Sequence, residues 1–182
     1  MPALVREISA GIAYDLGAGE GRNAIYLARN GWKVFAVDSD RTAIERLKRS
    51  ALREGLQDRI SITQGDANEF LRRSILPVDL VLLYGLPHCL SGRSFGKLIE
   101  WCACVKPGAI VAGSALTAEA GMPSNHMTGR LYLRKAAVYR RQFSRFKELL
   151  WQEGEIHESH EPLVGKHVHS AIWFVCRRER NE

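Results

Sequence analysis

The stretch Ile12-Ala13-Tyr14-Asp15-Leu16-Gly17-Ala18-Gly19-Glu20-Gly21-Arg22-Asn23 limits what this chain can fold into more than any other part of it. A short apolar run ends in three glycines at alternate positions, and a helix-forming segment starts at once. Glycines there leave no side chain between a ligand and the backbone turn. The helix that follows turns its free N–H groups toward the same place. A second apolar run, Lys33-Val34-Phe35-Ala36-Val37, then ends in an acid, Asp38. A glycine turn after one strand and a carboxylate after the next is the nucleoside-binding arrangement of a doubly wound sheet, the carboxylate accepting from ribose hydroxyls.

The third glycine narrows the choice of nucleoside. A dinucleotide fingerprint, G-x-G-x-x-G/A, needs a small residue at position 22. Arg22 stands there, and the glycine falls one place earlier, at Gly21. Asp15, two residues before Gly17, sets a second carboxylate beside the turn. A negative group there repels a pyrophosphate and suits a cation.

Apolar runs bounded by turn signals alternate with segments of helical period, which argues for a parallel α/β sheet. Strands are expected over 12–17, 33–38, 60–65, 78–84 and 109–116, and helices over 22–30, 41–54, 68–75 and 94–105. A helix over 134–145 follows, then strands over 146–156 and 168–177 that form a hairpin. The expected fold is α/β, a Rossmann-like doubly wound seven-stranded sheet, mostly parallel with an antiparallel C-terminal strand. No repeat, low-complexity tract or linker divides the chain, so one domain is expected over 1–182.

Composition sets the outer bounds. A chain of 182 residues with 46% apolar content can bury one ordinary core. No apolar stretch approaches the roughly 18–20 residues that span a bilayer, so no membrane partner is expected. The first residues lack the apolar centre of a signal peptide. Cys89, Cys102, Cys104 and Cys176 show no metal or scaffold spacing, which reads as reduced thiols in a cytoplasmic protein. A formal charge of +6 leaves room for an anionic partner.

Three strand ends carry groups suited to one ligand: Asp38-Ser39, Gln64-Gly65-Asp66-Ala67 and Tyr84-Gly85. Such ends converge on a crevice in open α/β sheets. A second role open to Asp66 is the N-cap of the helix that follows. The glycine turn resembles motif I of the class I S-adenosylmethionine methyltransferases. The longer pattern Asp15-Leu16-Gly17, Gly19, Gly21-Arg22-Asn23, Leu27-Ala28, Gly31, Val34, Ala36 and Asp38 resembles the tellurite-resistance methyltransferases and their small-molecule relatives.

That resemblance implies S-adenosylmethionine as cofactor. Asp15, Gly17, Ala18, Gly19, Arg22 and Asn23 would surround it at the first turn, Asp38 and Ser39 at the ribose, Asp66 and Ala67 at the adenine, and Tyr84 at the methionine moiety. Glu153-Gly154-Glu155-Ile156-His157 resembles a late motif of the same group, which places His157 near the acceptor. Ala18 replaces the commoner cysteine, and Glu158 stands where an arginine often follows. Only about eleven residues precede the first strand, fewer than the family's usual cap. The site is then open, or a partner subunit, as in a homodimer, or the 117–135 segment covers it.

The acceptor is read from the fourth strand end. Amino methylation of a base uses an Asp/Asn-Pro-Pro-aromatic turn, and here the turn is Leu83-Tyr84-Gly85-Leu86-Pro87-His88. The Pro-Cys nucleophile of base-carbon enzymes is one place out of register at Pro87-His88-Cys89. A small-molecule nucleophile, such as a thiol or chalcogen oxyanion, is therefore expected ahead of RNA or protein. Basic residues interleave with aromatics over 130–147, which suits either a nucleic-acid grip or an amphipathic helix with buried rings. The helix is favoured. His88 and His157 are the candidate catalytic groups, as polar contacts or proton acceptors. His167 and His169 would share a strand face, yet no cysteine accompanies them, and no metal is expected. A non-catalytic cofactor-binding subunit is the reading from another class.

Overall fold

Along β4 (Leu80–Tyr84) the buried side chains divide by parity: Leu80 and Leu82 join one apolar cluster, and Val81 and Leu83 the other. That is the pattern of a strand covered on both faces. Ala13 and Tyr14 of β1 (Ile12–Leu16) part in the same way. The computed structural model describes residues 8–74, 77–120, 131–160 and 164–179.

The remaining elements are α1 (Arg22–Arg29), β2 (Lys33–Asp38), α2 (Arg41–Arg53), β3 (Ile60–Gln64), α3 (Ala67–Arg72), a 3₁₀ turn at Pro87–Cys89, α4 (Gly92–Cys102), β5 (Ile110–Leu116), α5 (Ala136–Gln142), β6 (Lys147–His160) and β7 (Val164–Arg177). They form one seven-stranded sheet in the order β3-β2-β1-β4-β5-β7-β6. β1 pairs in parallel with both β2 and β4, so the strand order reverses there. β7 alone runs against its neighbours β5 and β6. The doubly wound sheet with one antiparallel C-terminal strand is the fold expected from the sequence.

Helices α1 and α2 close one face with Ile25, Leu27 and Leu47. Leu71, Phe95, Leu98 and Tyr139 from α3, α4 and α5 close the other. The sequence places the stops: Asp40 caps α2 by accepting from the Thr42 and Ala43 N–H groups, and the helix ends before Gly55. Tyr14 is the centre of the second face, touching the rings of Phe35, Phe70 and Trp101 at 5.4–5.6 Å.

The last two strands are longer than expected. β5 ends at Leu116, opposite Ala171, while β6 and β7 stay paired beyond that point as a two-stranded hairpin. With no third strand to bury a face, that extension carries no clean apolar alternation. A register shift between Glu148 and Leu150 inserts Leu149 as an extra, exposed residue on the edge strand. Such a bulge is one way an edge avoids further pairing.

Candidate functional site

At the carboxyl ends of β1 to β4 lies a cleft of about 340 Å³. Gly17, Asp38, Ser39, Asp66, Ala67 and Tyr84 line it, six residues expected from the sequence. Leu86, Cys89 and Leu90 form a wall that the sequence reasoning missed. The signal was present but easy to overlook: apolar residues on both sides of a Pro-initiated turn directly after a buried strand.

The glycine turn is shaped by what each missing Cβ would meet. Gly17, Gly19 and Gly21 have φ of 73°, 54° and 83°, where other residues are strained. A Cβ on Gly21 would lie 2.1 Å from Leu47 Cδ1, so this glycine lets α1 pack against α2. A Cβ on Gly19 would meet nothing within 4 Å, so it faces open space. One glycine serves packing and the other leaves room for a ligand.

Three acids hold the cleft together. Asp38 Oδ2 accepts from Gly19 N–H at 2.7 Å and Oδ1 from Asp40 N–H at 2.8 Å, which ties the end of β2 to the turn after β1. Each carboxylate oxygen keeps a lone pair for a hydroxyl donor. Asp66 caps α3, its Oδ1 accepting from Glu69 N–H at 3.0 Å, and also borders the cleft. The two roles considered for it coexist.

Asp15 is 1% exposed, and its Oδ2 has no hydrogen-bond partner among the described residues. Helix α1 has Gly21 as its N-cap, with no side-chain cap, and the Ala24 N–H donates to Asp15 instead. Burial pushes the Asp15 carboxyl from its ordinary 3.8 up to about 7, against the Ala24 hydrogen bond, and the Asp38 charge adds to the rise. Tyr84 is raised too, by burial and then by Asp15. A buried carboxyl of this kind is costly to ionise without a charged partner.

The two candidate histidines differ in their surroundings. His88 is buried, and its Nδ1 accepts from Leu116 N–H at 3.1 Å. β4 ends opposite Ser114, so His88 satisfies the β5 donor that the strand no longer reaches. Its proton therefore sits on Nε2. Burial, then repulsion from His169, lowers its pKa to about 4. The imidazole is therefore neutral near pH 7, with Nδ1 engaged by β5. His157 is absent from the cleft lining: it stands on β6 with a 73% exposed side chain, 3.5 Å from Glu155.

Ala18, Gly19, Arg22, Asn23 and Asp15 stand around or beneath the turn, outside the cleft lining itself. Tyr139, Phe143 and Phe146 are buried at 0%, 3% and 7%, and Arg140 is forked onto Glu148 at 2.7–2.8 Å. These rings offer no surface to bases, in line with the amphipathic-helix reading. Of the 117–135 segment, residues 121–130 lie outside the described residues, as do 1–7. The His167 and His169 rings meet edge-on at 4.7 Å, and among the described residues no group of three ligand side chains could hold a metal ion. No helix among them is long and apolar enough to cross a membrane.

The sequence profile described as "Methyltransferase domain" matches residues 13–108, which hold the glycine turn and the acids at the ends of β2 and β3. The chain belongs to the methyltransferase domain family. A probable cobalt-precorrin-6B C(15)-methyltransferase of Pyrobaculum aerophilum is 37% identical over 70 residues, covering 37% of this chain. The match covers only 36% of that relative's length. Among solved structures, TehB of Haemophilus influenzae superposes with a TM-score of 0.81 at 17% identity, over 98% of this chain and 61% of that one. The Burkholderia thailandensis 1,6-didemethyltoxoflavin-N1-methyltransferase, solved with S-adenosylhomocysteine, gives 0.72 at 19% identity, over 98% and 76%. Those likenesses are of fold. S-adenosylmethionine is the cofactor that this methyltransferase domain fits: Asp15 has a buried oxygen without a partner among the described residues, and a Cβ on Gly19 would meet nothing within 4 Å.

Proposed function

We propose that the chain is an S-adenosylmethionine-dependent methyltransferase acting on a small-molecule nucleophile. The observation that carries the cofactor half is the convergence of the Gly17 turn, Asp38, Asp66 and Tyr84 on one cleft. Asp38 would accept from the ribose hydroxyls while keeping its bonds to Gly19 and Asp40. Asp66 and Ala67 would meet the adenine edge, with Leu86 and Leu90 as its apolar wall. Asp15, with Arg22 and Asn23 at the start of α1, would face the amino-acid end. Bound there, the cofactor supplies a methyl group already activated on a sulfonium, so the protein's part is to align the acceptor and exclude water.

Two features favour a small acceptor. The turn after β4 lacks the residues that stack a flipped base, and the aromatics of 139–146 are inside the core. A soft nucleophile needs little base catalysis, which suits a site whose nearest histidine is neutral and engaged. The single-domain reading of the chain and its action in the cytoplasm are part of the same proposal.

Calorimetry tests the cofactor. Asp38→Ala is expected to weaken S-adenosylmethionine by about 1.5–3 kcal/mol, the range of charge-assisted bonds, while NAD gives no heat with either protein. Unchanged affinity refutes the assignment. The acceptor is tested with labelled cofactor over thiols, chalcogen oxyanions, phenols, amines and RNA. Transfer to RNA alone overturns the small-molecule reading, and binding with no transfer to any class leaves a non-catalytic subunit.

A further inference from the structure

The Leu86–Leu90 wall of the cleft is held from outside the matched methyltransferase profile, by one side chain. Arg134 Nη2 donates to Leu90 carbonyl at 2.7 Å, and Nη1 donates to the Pro87 carbonyl at 3.1 Å and to its own neighbour's, Tyr132, at 2.9 Å. Its guanidinium lies over the Phe95 ring at 5.1 Å and the Tyr139 ring at 5.6 Å. The backbone repeats the link, with Tyr132 N–H donating to His88 carbonyl at 2.7 Å. From the other side His88 Nδ1 takes the Leu116 N–H. The 3₁₀ turn is thus fastened to β5 at its middle residue, His88, and to the segment leading into α5 at Pro87, His88 and Leu90.

A short 3₁₀ turn has few bonds of its own, and its carbonyls need donors. A planar guanidinium can serve two carbonyls in fixed directions at once, whereas an ammonium is a point charge on a flexible stem. Thr117 pairs with Arg134 in a β-bridge, and Ala118 N–H donates to Arg134 carbonyl at 3.1 Å. The same residue therefore joins the strand end after β5 to the wall of the cleft.

We infer that Arg134 is a positioning residue: its fork fixes the Leu86–Leu90 turn against the cofactor cleft and couples that wall to the 117–120 and 131–135 segments beside it. The inference rests on reading the cleft as the cofactor site, and its test has an arm independent of that reading. Cys89 sits on the turn itself, exposed, with Sγ 3.4 Å from Gly85 carbonyl. In a Cys104→Ser background it is the exposed thiol among the four, Cys102 and Cys176 being buried.

The experiment measures the rate at which a maleimide labels Cys89 and, separately, the calorimetric Kd for S-adenosylmethionine. Arg134→Ala is expected to speed labelling about fivefold and to raise Kd about tenfold. Added guanidinium ion is expected to restore both to within about threefold, a rescue that general destabilisation would not give. Arg134→Lys should stay impaired, and Arg140→Ala, which breaks a surface pair with Glu148 and a ring contact with Trp151 away from the turn, should match wild type. If Arg134→Ala does not fold, Arg134→Lys carries the test. Wild-type labelling and affinity in the folded variant overturn the inference. Altered labelling in a wild-type background that binds no S-adenosylmethionine would sink the cofactor reading and leave the clamp standing.

Discussion

From β1 to α3, the groups that build the cleft find partners nearby along the chain. Asp66 accepts from Glu69, Asp38 from Asp40, and Asp38 reaches Gly19 across one βαβ unit. From β5 onward the partners are remote. Arg134 meets carbonyls 47 and 44 positions away, and Thr117 Oγ1 bonds Ser170 Oγ, 53 positions away, at 2.8 Å. The first half is specified by short-range turn and cap chemistry, so it can be written as a motif. The second half is specified by tertiary contacts between segments that individually look ordinary.

The sharpest way to break that contrast is inside the motif. Gly21→Val would put a side chain 2.1 Å from Leu47 Cδ1 at a φ of 83°, and is expected to cost about 3 kcal/mol or more of stability. At Gly19 an added Cβ meets nothing within 4 Å, so the main cost of Gly19→Val to folding is backbone strain; it is expected to fold yet lose about 100-fold or more in S-adenosylmethionine affinity. Thermal unfolding and calorimetry on the pair separate the two. Near wild-type affinity in folded Gly19→Val would show that the motif serves packing alone.

Most of the first half was legible because its signals are local. The three glycines, Asp38 and the Asp66 cap each declare a backbone requirement within a few residues, and strand ends fell within about two positions of their expected places through β5. What was not legible needed the third dimension. Arg134 belongs to a basic, aromatic stretch whose helical period pointed its arginines to water; only the carbonyls of Pro87 and Leu90 make it a clamp. The bond from the Leu116 N–H to His88 was not legible, because the end of β4 before the end of β5 is invisible in sequence.

Asp15 offers the next largest effect, and its sign is fixed by burial. The folded protein keeps this carboxyl protonated up to about 7, whereas an unfolded chain releases the proton near 3.8. Between those values the folded state binds more protons, so stability falls as pH rises through the window, and the cost is complete above about 7. Asp15→Asn keeps an acceptor for the Ala24 N–H and removes the charge. It is expected to gain nothing at pH 4 and to exceed wild type at pH 8, with a ceiling of about 4 kcal/mol. Denaturant midpoints at the two pH values read this directly. If a cationic group of the cofactor pairs with Asp15, binding at pH 6 should also release a proton in wild type and none in the variant.

His88 tests the second half. His88→Ala leaves the Leu116 N–H without an acceptor and is expected to lose about 1–3 kcal/mol of stability, whereas His88→Asn retains an oxygen for it and loses less. The folded state holds His88 neutral down to about 4, so its contribution is complete above the unfolded value of 6.5 and is lost as pH falls toward 4. Turnover should show no inflection from this residue between pH 6 and 8. An inflection near 6.5 that disappears in His88→Asn would return His88 to the role of proton acceptor and undo the contrast between a chemical first half and a structural second.

The smallest effect is expected at His157. Its side chain is 73% exposed on the edge strand, and Glu155, 3.5 Å away, is itself 64% exposed. Pairs of this kind add little because water screens both charges and long side chains lose freedom in meeting. Resemblance put His157 beside the acceptor, yet β6 is the outermost strand, separated from β5 by β7. The hairpin does project past the end of β5, so its distance from the acceptor is a matter for turnover rather than for cofactor binding. His157→Ala is expected to leave S-adenosylmethionine affinity unchanged and to alter turnover with the best acceptor less than about twofold, within the usual span of surface substitutions. A loss of tenfold at unchanged cofactor affinity would bring the hairpin into the acceptor pocket, and the second half of the molecule would then carry chemistry as well as support.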